Sequence, residues 1–249
     1  MKKIIVLIPF YNESNNFNVI KNLIQSLDYE KIKFKFIFCN DNSSDDTHAL
    51  IENFFTSEVF DYEIVVNKSN LGHGGSLLRL SQHKEIKEYD FVLTLDFDFC
   101  YLLQDLKTFF DMSSEETILI GKRKVFDEGF FRQFITSTSE LIIYLKTFSI
   151  FSDTNCPIRL YPSSKFLEIW NDIPNGTLIP NIFSTYLIIQ NDNSYKRINI
   201  NKNNVKQLAS TTWGNNFLLK KLKILKFSYN SLKQVLFFNT KKVKNKYQS

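Results

Sequence analysis

Residues 91–98 read FVLTLDFD, a short apolar run that ends in two aspartates separated by one residue. The run predicts a buried strand, Phe91–Leu95, that ends at Asp96. Because side chains two positions apart in a strand point the same way, the carboxylates of Asp96 and Asp98 can face one cation. Hard divalent ions such as Mg²⁺ bind carboxylates together with the phosphate oxygens of a substrate. Taken alone the pattern is weak, since a solvated strand end or a helix cap has the same composition.

Similar apolar runs, each followed by polar residues, occur throughout the first half of the chain. Ile4–Ile8, Phe34–Cys39 and Tyr62–Val66 are predicted strands, and the segments between them have helical spacing of apolar residues. This alternation predicts an α/β fold with a mostly parallel central sheet and helices on both faces. Ligands of such sheets bind beyond the carboxyl ends of the strands. The polar clusters that follow the predicted strands are Asn12 and Glu13, Asp41–Asp45, Asn67–Gly75, and Asp96 with Asp98.

The alternation weakens after Gly121. Phe131–Phe151 and Ile179–Gln190 are predicted helices, and Tyr195–Asn201 alternates in the manner of an edge strand. From Asn203 onward no strand pattern returns. We therefore expect a catalytic domain at residues 1–202 and a helical tail at residues 203–249.

The tail is basic and amphipathic. Of the 31 Lys and Arg residues, 13 follow Asp192, whereas none of the 26 acidic residues does. Its apolar positions recur every three or four residues, with lysines around them: Leu218, Leu222, Leu225, Tyr229, Leu232 and Leu236. This pattern predicts a helix that binds an anionic membrane surface, although the apolar stripe could instead pack on the catalytic domain. Regular aliphatic spacing suits a membrane or a partner helix better than the phosphate backbone of a nucleic acid. No nucleic-acid partner is therefore expected.

Composition excludes several classes of protein. With 249 residues, 43% hydrophobic and 23% charged, the chain is an ordinary globular protein. Three cysteines are too few for a disulfide framework and favour a reducing compartment. The first apolar run is interrupted by Pro9 and precedes no cleavage site, and no run approaches the roughly 20 apolar residues of a membrane span. These features predict a cytoplasmic protein.

Two further loops could contact a ligand. Asp41 could accept hydrogen bonds from a nucleobase or ribose, although residues 41–46 also suit a turn in which Asp45 caps the next helix. Residues 70–76, NLGHGGS, hold three of the seven glycines and let the backbone approach a ligand closely. The segment matches neither a P-loop nor a dinucleotide fingerprint. His73 within it is assigned no role.

Four segments together resemble family 2 glycosyltransferases with the nucleotide-binding GT-A fold. They are VLIPFYNE (6–13), CNDNSSDDT (39–47), NLGHGGSLL (70–78) and LTLDFDF (93–99). Their order and spacing are far more specific than any one of them, and the resemblance covers about residues 2–200. It implies a nucleotide-diphosphate sugar donor and Mg²⁺ or Mn²⁺ held by Asp96 and Asp98. The implied nucleotide contacts are Pro9, Tyr11, Glu13, Asp41, Asn42, Asp45, Asn70, Gly72, Gly74 and Asp96.

The second half resembles the polyprenyl-phosphate sugar synthases, the group that includes dolichol-phosphate mannose synthase. The matching segments are GKRKV (121–125), FFRQFIT (130–136) and SDTNCPIRLYP (152–162). The resemblance implies that the lipid phosphate is held by Arg123, Arg132, Thr136 and Arg159, and that Asp98, Arg123 and Arg132 are catalytic. Ordinary ion pairing would also explain the arginines, although Arg is preferred where a phosphate needs two hydrogen bonds.

The resulting hypothesis is an inverting glycosyltransferase that moves a sugar onto a polyprenyl phosphate at the cytoplasmic face of a membrane. A phosphate acceptor needs no general base, and carboxylates are scattered in the second half. Departures from the pattern include Cys100 in place of a glutamine, and Pro157 and Ile158 in place of Gly-Phe. Two alternatives stay open: transfer to a hydroxyl of a surface glycan, and a non-catalytic nucleotide-sugar-binding protein. The sugar, the nucleotide base and the oligomeric state are not predicted.

Overall fold

The computed structural model describes residues 1–58, 60–123, 130–202, 229–230 and 233–238, with the backbone alone at 130–135. Within these residues, 3-10 turns lie at Ser14–Asn16 and Lys84–Glu88. The strands and helices are β1 (Lys2–Phe10), α1 (Phe17–Gln25), β2 (Ile32–Asn40), α2 (Thr47–Ser57), β3 (Asp61–Val66), α3 (Gly72–Ser81), β4 (Phe91–Thr94), α4 (Leu103–Met112), β5 (Ile118–Arg123), α5 (Phe130–Thr147), β6 (Arg159–Pro162), α6 (Ser163–Asn171), α7 (Pro180–Gln190) and β7 (Tyr195–Ile200).

The described strands form one sheet in the order β3-β2-β1-β4-β6-β5-β7. β6 is antiparallel to β4 and β5, and the other neighbouring pairs are parallel. The predicted α/β fold with a mostly parallel sheet is therefore confirmed, and the strand predicted at an edge is the edge strand β7. Because the chain moves from β1 out to β3 and then returns to β4, a crevice forms where the strand order reverses, between β1 and β4.

β1 lies at the centre of the molecule and is buried on both faces. Ile4, Val6 and Ile8 point into the core beneath α1, α2 and α4. Ile5 and Leu7 point the opposite way, into the core shared with α3, α6 and α7. Alternation of side chains along a strand explains why an uninterrupted apolar run was needed here. Burying each of these side chains contributes about 1.5–3 kcal/mol.

The structure departs from the predicted secondary structure in two places. β6 and α6 were missed, because a four-residue strand is too short to show a periodicity of its own. The helix predicted over Phe131–Phe151 ends at Thr147. Phe148 has a φ of +53°, in the left-handed region that stops a helix.

Part of the predicted tail packs on α7. Residues 233–237 are helical, and Val235 is buried. The ring of Phe238 packs edge-on against that of Phe183 in α7, with the ring centroids 5.0 Å apart. Tyr229 and Leu236 of the predicted apolar stripe are exposed. The remaining stripe positions lie outside the described residues: Leu218, Leu222, Leu225 and Leu232. None of the helices in the described ranges has the length and apolar character needed to cross a membrane.

Candidate functional site

A cleft of about 390 Å³ opens at the carboxyl ends of β1, β2 and β4. It lies at the rim where the sequence predicted a site. Its lining residues are Pro9, Phe10, Tyr11, Glu13, Asp41, Asn70, Gly72, His73, Ser76, Asp96, Phe97 and Asp98.

The loops that follow β1 and β2 brace each other. One carboxylate oxygen of Asp45 accepts a hydrogen bond from the Ser14 backbone N–H at 3.0 Å, and the other accepts from the Thr47 hydroxyl at 2.6 Å. In return, the Asn12 side-chain oxygen accepts from the Ser44 N–H at 2.8 Å. Burial alone would raise the pKa of Asp45, but the hydrogen bonds from Thr47 and Ser14 lower it below its ordinary value. Asp45 therefore holds the wall of the cleft as an anion.

Asp41 fastens the glycine-containing loop to the end of β2. Its buried carboxylate accepts hydrogen bonds from Asn67 Nδ2 at 2.7 Å, from the Leu71 N–H at 2.7 Å and from the Gly72 N–H at 2.8 Å. A carboxylate has about four acceptor positions, so these bonds occupy most of its capacity. The predicted contact of Asp41 with a nucleotide stays a prediction, and the observed contacts assign it the shaping of the loop.

The two glycines predicted to contact the nucleotide differ in position. Gly72 lines the cleft with a φ of +74°, a backbone conformation that glycine adopts without strain. Gly74 is buried, and a Cβ at its position would lie 2.6 Å from the Leu178 carbonyl oxygen. Close packing therefore requires glycine at position 74, and Gly74 is not among the residues that line the cleft. Its predicted nucleotide contact stays a prediction. Asn42 and Asp45 likewise do not line the cleft.

Asp96 and Asp98 lie where the strand pattern predicted them, beyond the end of β4 and inside the cleft. Asp96 Oδ1 is buried and has no hydrogen-bond partner among the described residues. His73 Nε2 lies 3.5 Å from this oxygen. A buried carboxylate oxygen without a donor is costly unless a cation or water satisfies it. The arrangement therefore fits the predicted hard divalent ion.

Glu13 carries another carboxylate of the cleft, beside Asp96 and Asp98. Burial above all, and then the negative charges of Asp98 and Asp96, raise its pKa to about 7, against a hydrogen bond from Asn16 that lowers it. The Asn16 amide donates to Glu13 Oε2 at 2.7 Å. The carboxylates of Glu13, Asp96 and Asp98 repel one another, so they favour either a proton on Glu13 or a bound cation.

We expect this raised pKa to appear in the pH dependence of stability. In metal-free buffer, folded Glu13 keeps a proton between about pH 4.5 and pH 7 that the unfolded side chain has lost, so the free energy of unfolding falls as the pH rises through that interval. Each pKa unit corresponds to about 1.36 kcal/mol, and solvent screening of this partly exposed group reduces the total to about 1–2 kcal/mol. Urea unfolding at a series of pH values measures the fall.

The matched comparison is Glu13→Gln, which removes the titrating group, with the exposed Glu88→Gln as a control. The free energy of unfolding of Glu13→Gln is expected not to fall over this pH interval. That of Glu88→Gln is expected to fall as it does in the wild type. Parallel pH profiles for the wild type and Glu13→Gln would contradict the assigned pKa.

Arg123 is held by an acid that the sequence did not connect with it. Its guanidinium donates to Asp153 Oδ1 from Nη2 at 2.6 Å and to Oδ2 from Nε at 3.0 Å, and its backbone N–H donates to Oδ2 at 2.8 Å. The side chains of Arg123 and Asp153 are 12% and 2% exposed. Burial would lower the pKa of Arg123, but the hydrogen bonds and charge of Asp153 raise it. Asp153 thus already balances most of the positive charge of Arg123, which was predicted to bind a phosphate.

Arg159 does not lie where the resemblance implied. Its side chain is 0% exposed. The guanidinium donates to the carbonyl oxygens of Cys156 at 2.9 Å and Thr154 at 2.7 Å, and to the hydroxyl of Thr185 at 3.0 Å. A side chain enclosed by donors and acceptors of its own fold cannot bind an external phosphate. The predicted phosphate contact of Arg159 is therefore corrected to a structural role that joins β6 to α7.

The other predicted phosphate ligands lie in α5. Thr136 is half-buried, and its carbonyl oxygen accepts a hydrogen bond from the Ser139 hydroxyl at 2.8 Å. The side chain of Arg132 lies outside the described residues. Neither role is tested by these positions, and both stay predictions.

A second group of potential metal ligands lies outside the cleft. Ligand atoms of Glu63, His83 and Glu85 are within 4.8 Å of one another. However, Lys35 Nζ lies 2.6 Å from Glu85 Oε2, and the His83 ring accepts from the Glu85 N–H while facing Glu63. These contacts already satisfy the group, so Asp96 and Asp98 remain the candidate metal site.

Sequence analysis missed four lining residues: Phe10, His73, Ser76 and Phe97. His73 and Ser76 belong to the glycine-containing loop and the first turn of α3, so the position of that loop was the available signal. Phe97 lies between the two aspartates and is buried beside Phe10, with ring centroids 5.5 Å apart. It anchors the turn that carries both carboxylates.

Comparison with known proteins relates this chain to one sequence family. A model of the family described as "Glycosyl transferase family 2" matches residues 5–179. The chain is also 25% identical over 175 residues to an uncharacterized protein of Methanocaldococcus jannaschii, covering 66% of this chain and 73% of that one.

Solved structures with the same fold include mannosyl-3-phosphoglycerate synthase from Rubrobacter xylanophilus, with a TM-score of 0.62, 12% identity, and coverage of 95% of this chain and 74% of that one. Mannosyltransferase PcManGT from Pyrobaculum calidifontis, solved with GDP-Man and Mn²⁺, has a TM-score of 0.54 and 13% identity, covering 93% and 64%. S. aureus TarS 1-349, solved with UDP-GlcNAc, has a TM-score of 0.53 and 17% identity, covering 95% and 70%. At these identities the likeness shows the fold alone.

Proposed function

Since the chain belongs to glycosyltransferase family 2 and is a glycosyltransferase, we propose that it transfers a sugar from a nucleotide-diphosphate sugar to a polyprenyl phosphate, with inversion at the anomeric carbon. The proposal of a nucleotide-sugar donor rests on Asp96 and Asp98 in the cleft. Asp96 Oδ1 is buried and accepts no hydrogen bond from the described residues. Solved relatives by fold bind UDP-GlcNAc or GDP-Man, which supports a nucleotide-sugar donor.

Asp96 and Asp98 would hold a divalent ion, Mg²⁺ or Mn²⁺, against the donor diphosphate. When bound, this ion neutralises the negative charge that develops on the leaving diphosphate. Tyr11 and Asn70 border the remaining space for the nucleotide, and Glu13 lies beside the two aspartates. Phe97 and the braced loops keep these groups in fixed positions, which lowers the entropic cost of aligning the reactants.

In the proposed reaction an oxygen of the acceptor phosphate attacks the anomeric carbon from the face opposite the diphosphate. The new carbon–oxygen bond forms as the bond to the diphosphate oxygen breaks, and its electron pair leaves with the diphosphate. The acceptor is already an anion, so no general base is required. Arg132 and Thr136 are the proposed acceptor ligands, and Arg123 could contribute only the part of its charge that Asp153 leaves.

The acceptor is the less supported half, and one observation favours the alternative of a hydroxyl acceptor. Asp153 binds the guanidinium of Arg123 through two hydrogen-bonding nitrogens, which leaves fewer cationic groups for a phosphate. Glu13, whose pKa is raised to about 7 in the metal-free protein, lies in the cleft as the candidate general base. A hydroxyl acceptor would need such a base within hydrogen-bond reach.

The deciding experiment supplies labelled nucleotide sugars, Mg²⁺ or Mn²⁺ and either undecaprenyl phosphate or a soluble sugar acceptor, and identifies products by mass spectrometry. The proposal predicts a sugar linked to the lipid phosphate and no product on the soluble sugar. A product only on the soluble sugar would establish the hydroxyl alternative. Release of free sugar without transfer to either acceptor would contradict both.

The proposed acceptor also implies a place in the cell. Polyprenyl phosphates lie in a bilayer and nucleotide sugars are soluble, so the enzyme would work peripherally at the cytoplasmic face. The basic residues that follow Asp192 support this proposal, since each Lys or Arg near an anionic surface contributes about 1 kcal/mol.

A further inference from the structure

A short part of the tail is held at a defined place, against α5 and α7. Val235 is 0% exposed, and the ring of Phe238 packs against that of Phe183 in α7. Lys146 Nζ, in α5, donates to the carbonyl oxygens of Val235 and Phe238, both at 2.7 Å. A lysine at the end of a helix satisfies carbonyl groups that have no partner within the helix. We call residues 233–238 the docked segment, since apolar contacts and hydrogen bonds together fix its position.

Gln234 of the docked segment holds the loop that leads into α7. Its side-chain oxygen, Oε1, accepts a hydrogen bond from the Thr177 hydroxyl at 3.0 Å and another from the Leu178 backbone N–H at 3.2 Å. Thr177 is 2% exposed, so little water reaches its hydroxyl. Removing the acceptor of a buried donor costs the free energy of desolvating that donor. One oxygen of the tail therefore fixes two consecutive residues of this loop.

The same two residues touch the glycine-containing loop of the cleft. A Cβ on Gly74 would lie 2.6 Å from the Leu178 carbonyl oxygen and 2.9 Å from that of Thr177, so the two backbones are in close contact. Gly74 stands in the first turn of α3, between Gly72 and Ser76, which both line the cleft. Packed protein interiors are nearly incompressible and transmit displacements. A shift of the Leu178 backbone would therefore move the cleft wall.

The glycine-containing loop is thus held from two sides. Asp41 fastens it to the end of β2 through two backbone N–H groups of the loop. The backbone of Thr177 and Leu178 supports it from the side of α7. The first support belongs to the cleft itself, whereas the second depends on Gln234. The position of one cleft wall therefore depends on a residue of the tail.

We propose that Gln234 is a positioning residue for the donor: acting through Leu178 and Gly74, it sets the cleft wall for a nucleoside diphosphate. This inference rests on the proposed nucleotide-sugar donor, and it gives the docked segment a role in donor binding that does not depend on the acceptor. A wall that is already in place lowers the conformational entropy lost on binding, so weakening its support should weaken binding. A merely structural role of Gln234 would change the stability of the fold but not the affinity of the folded protein for the nucleotide.

Calorimetric titration of the full chain with UDP, GDP, CDP, ADP and dTDP, each with Mn²⁺, measures this affinity without an acceptor. Gln234→Ala is expected to bind the preferred nucleotide at least about fivefold more weakly than wild type. Gln234→Glu keeps an acceptor oxygen on a side chain of the same length, so it is expected to bind as tightly as wild type. Gln104→Ala makes the matched substitution at an exposed position of α4 and is also expected to bind as wild type.

Hydrogen exchange of the Leu178 amide gives a second readout, which tests the contact itself. Exchange is expected to be faster in Gln234→Ala and to keep the wild-type rate in Gln234→Glu, because only the first variant loses the acceptor. Circular dichroism verifies that each variant is folded. If Gln234→Ala does not fold, Gln234→Met takes its place, since it keeps the length of the side chain but not the acceptor.

Each contrary result has its own meaning. A well-folded Gln234→Ala that binds the nucleotide as tightly as wild type would overturn the positioning role and leave the proposed donor standing. Equal weakening in Gln234→Glu and Gln234→Ala would also overturn that role, because the acceptor oxygen would then make no difference. Wild-type protein that binds none of the nucleotides would overturn both this inference and the proposed donor.

Discussion

Replacing Asp98 with Asn is expected to reduce the rate of sugar transfer by about 100-fold to 1000-fold at saturating donor and Mg²⁺. The substitution keeps the size of the side chain but removes a full negative charge from the cleft that Asp96 and Glu13 share. A divalent ion would then be held more weakly, and charge on the leaving diphosphate would be less well neutralised. Initial rates measured against Mg²⁺ concentration test this, and we expect a weaker apparent metal affinity as well as a slower maximal rate.

The matched control is Asp111→Asn, which removes an exposed carboxylate near the end of α4, outside the cleft. Its transfer rate is expected to equal that of wild type. A second readout needs no activity: the charge of Asp98 helps to raise the pKa of Glu13, so Asp98→Asn should lower that pKa in the metal-free protein. Full activity and unchanged metal dependence in Asp98→Asn would refute the assignment of the metal site.

Asp153→Ala is expected to lower the free energy of unfolding by about 3–5 kcal/mol. The substitution leaves the guanidinium of Arg123, only 12% exposed, without its carboxylate, and it removes an acceptor of the Arg123 backbone N–H. Removing the carboxylate of a buried ion pair costs much more than the pair contributes, because the remaining charge loses that acceptor without regaining its water. Urea unfolding at neutral pH measures the change.

Asp28→Ala provides the comparison on the surface. Asp28 lies 3.2 Å from Lys31, and both side chains are well exposed, so its loss is expected to lower the free energy of unfolding far less than Asp153→Ala does. Arg123→Met combined with Asp153→Ala should recover part of the lost stability, since no charge then remains buried. Equal destabilisation by Asp153→Ala and Asp28→Ala would show that burial adds nothing to the cost of breaking the Arg123–Asp153 pair.

The cleft was predictable because its residues follow strand ends. Side-chain alternation and parallel strands bring the termini of β1, β2 and β4 to one edge, so Glu13, Asp41, Asp96 and Asp98 were assigned to one rim from local patterns alone. The same local patterns did not distinguish residues that face the ligand from those that support the loop. Asp45 proved to be a brace for its neighbours, because the partners of a loop carboxylate come from another loop.

The two arginines of the second half show where local patterns fail. Arg123 and Arg159 both matched motif positions, yet Arg123 pairs with Asp153, thirty positions away, and Arg159 binds Thr185 of α7. Whether a guanidinium meets a ligand or an internal acceptor depends on which distant segments pack around it. The antiparallel strand β6, inserted between β4 and β5, was missed because its four residues are too few to show a periodicity.

The sequence by itself determined the sheet of alternating strands and helices, the rim on which polar residues gather, and the charge difference between domain and tail. These follow from periodicity and composition, which are local properties of the chain. Only the tertiary structure decided that Asp96 Oδ1 is left without a donor in the described residues, that Asp153 neutralises Arg123, and that Arg159 is enclosed. Burial and hydrogen-bond satisfaction depend on contacts between residues far apart in sequence, so no local pattern could have determined them.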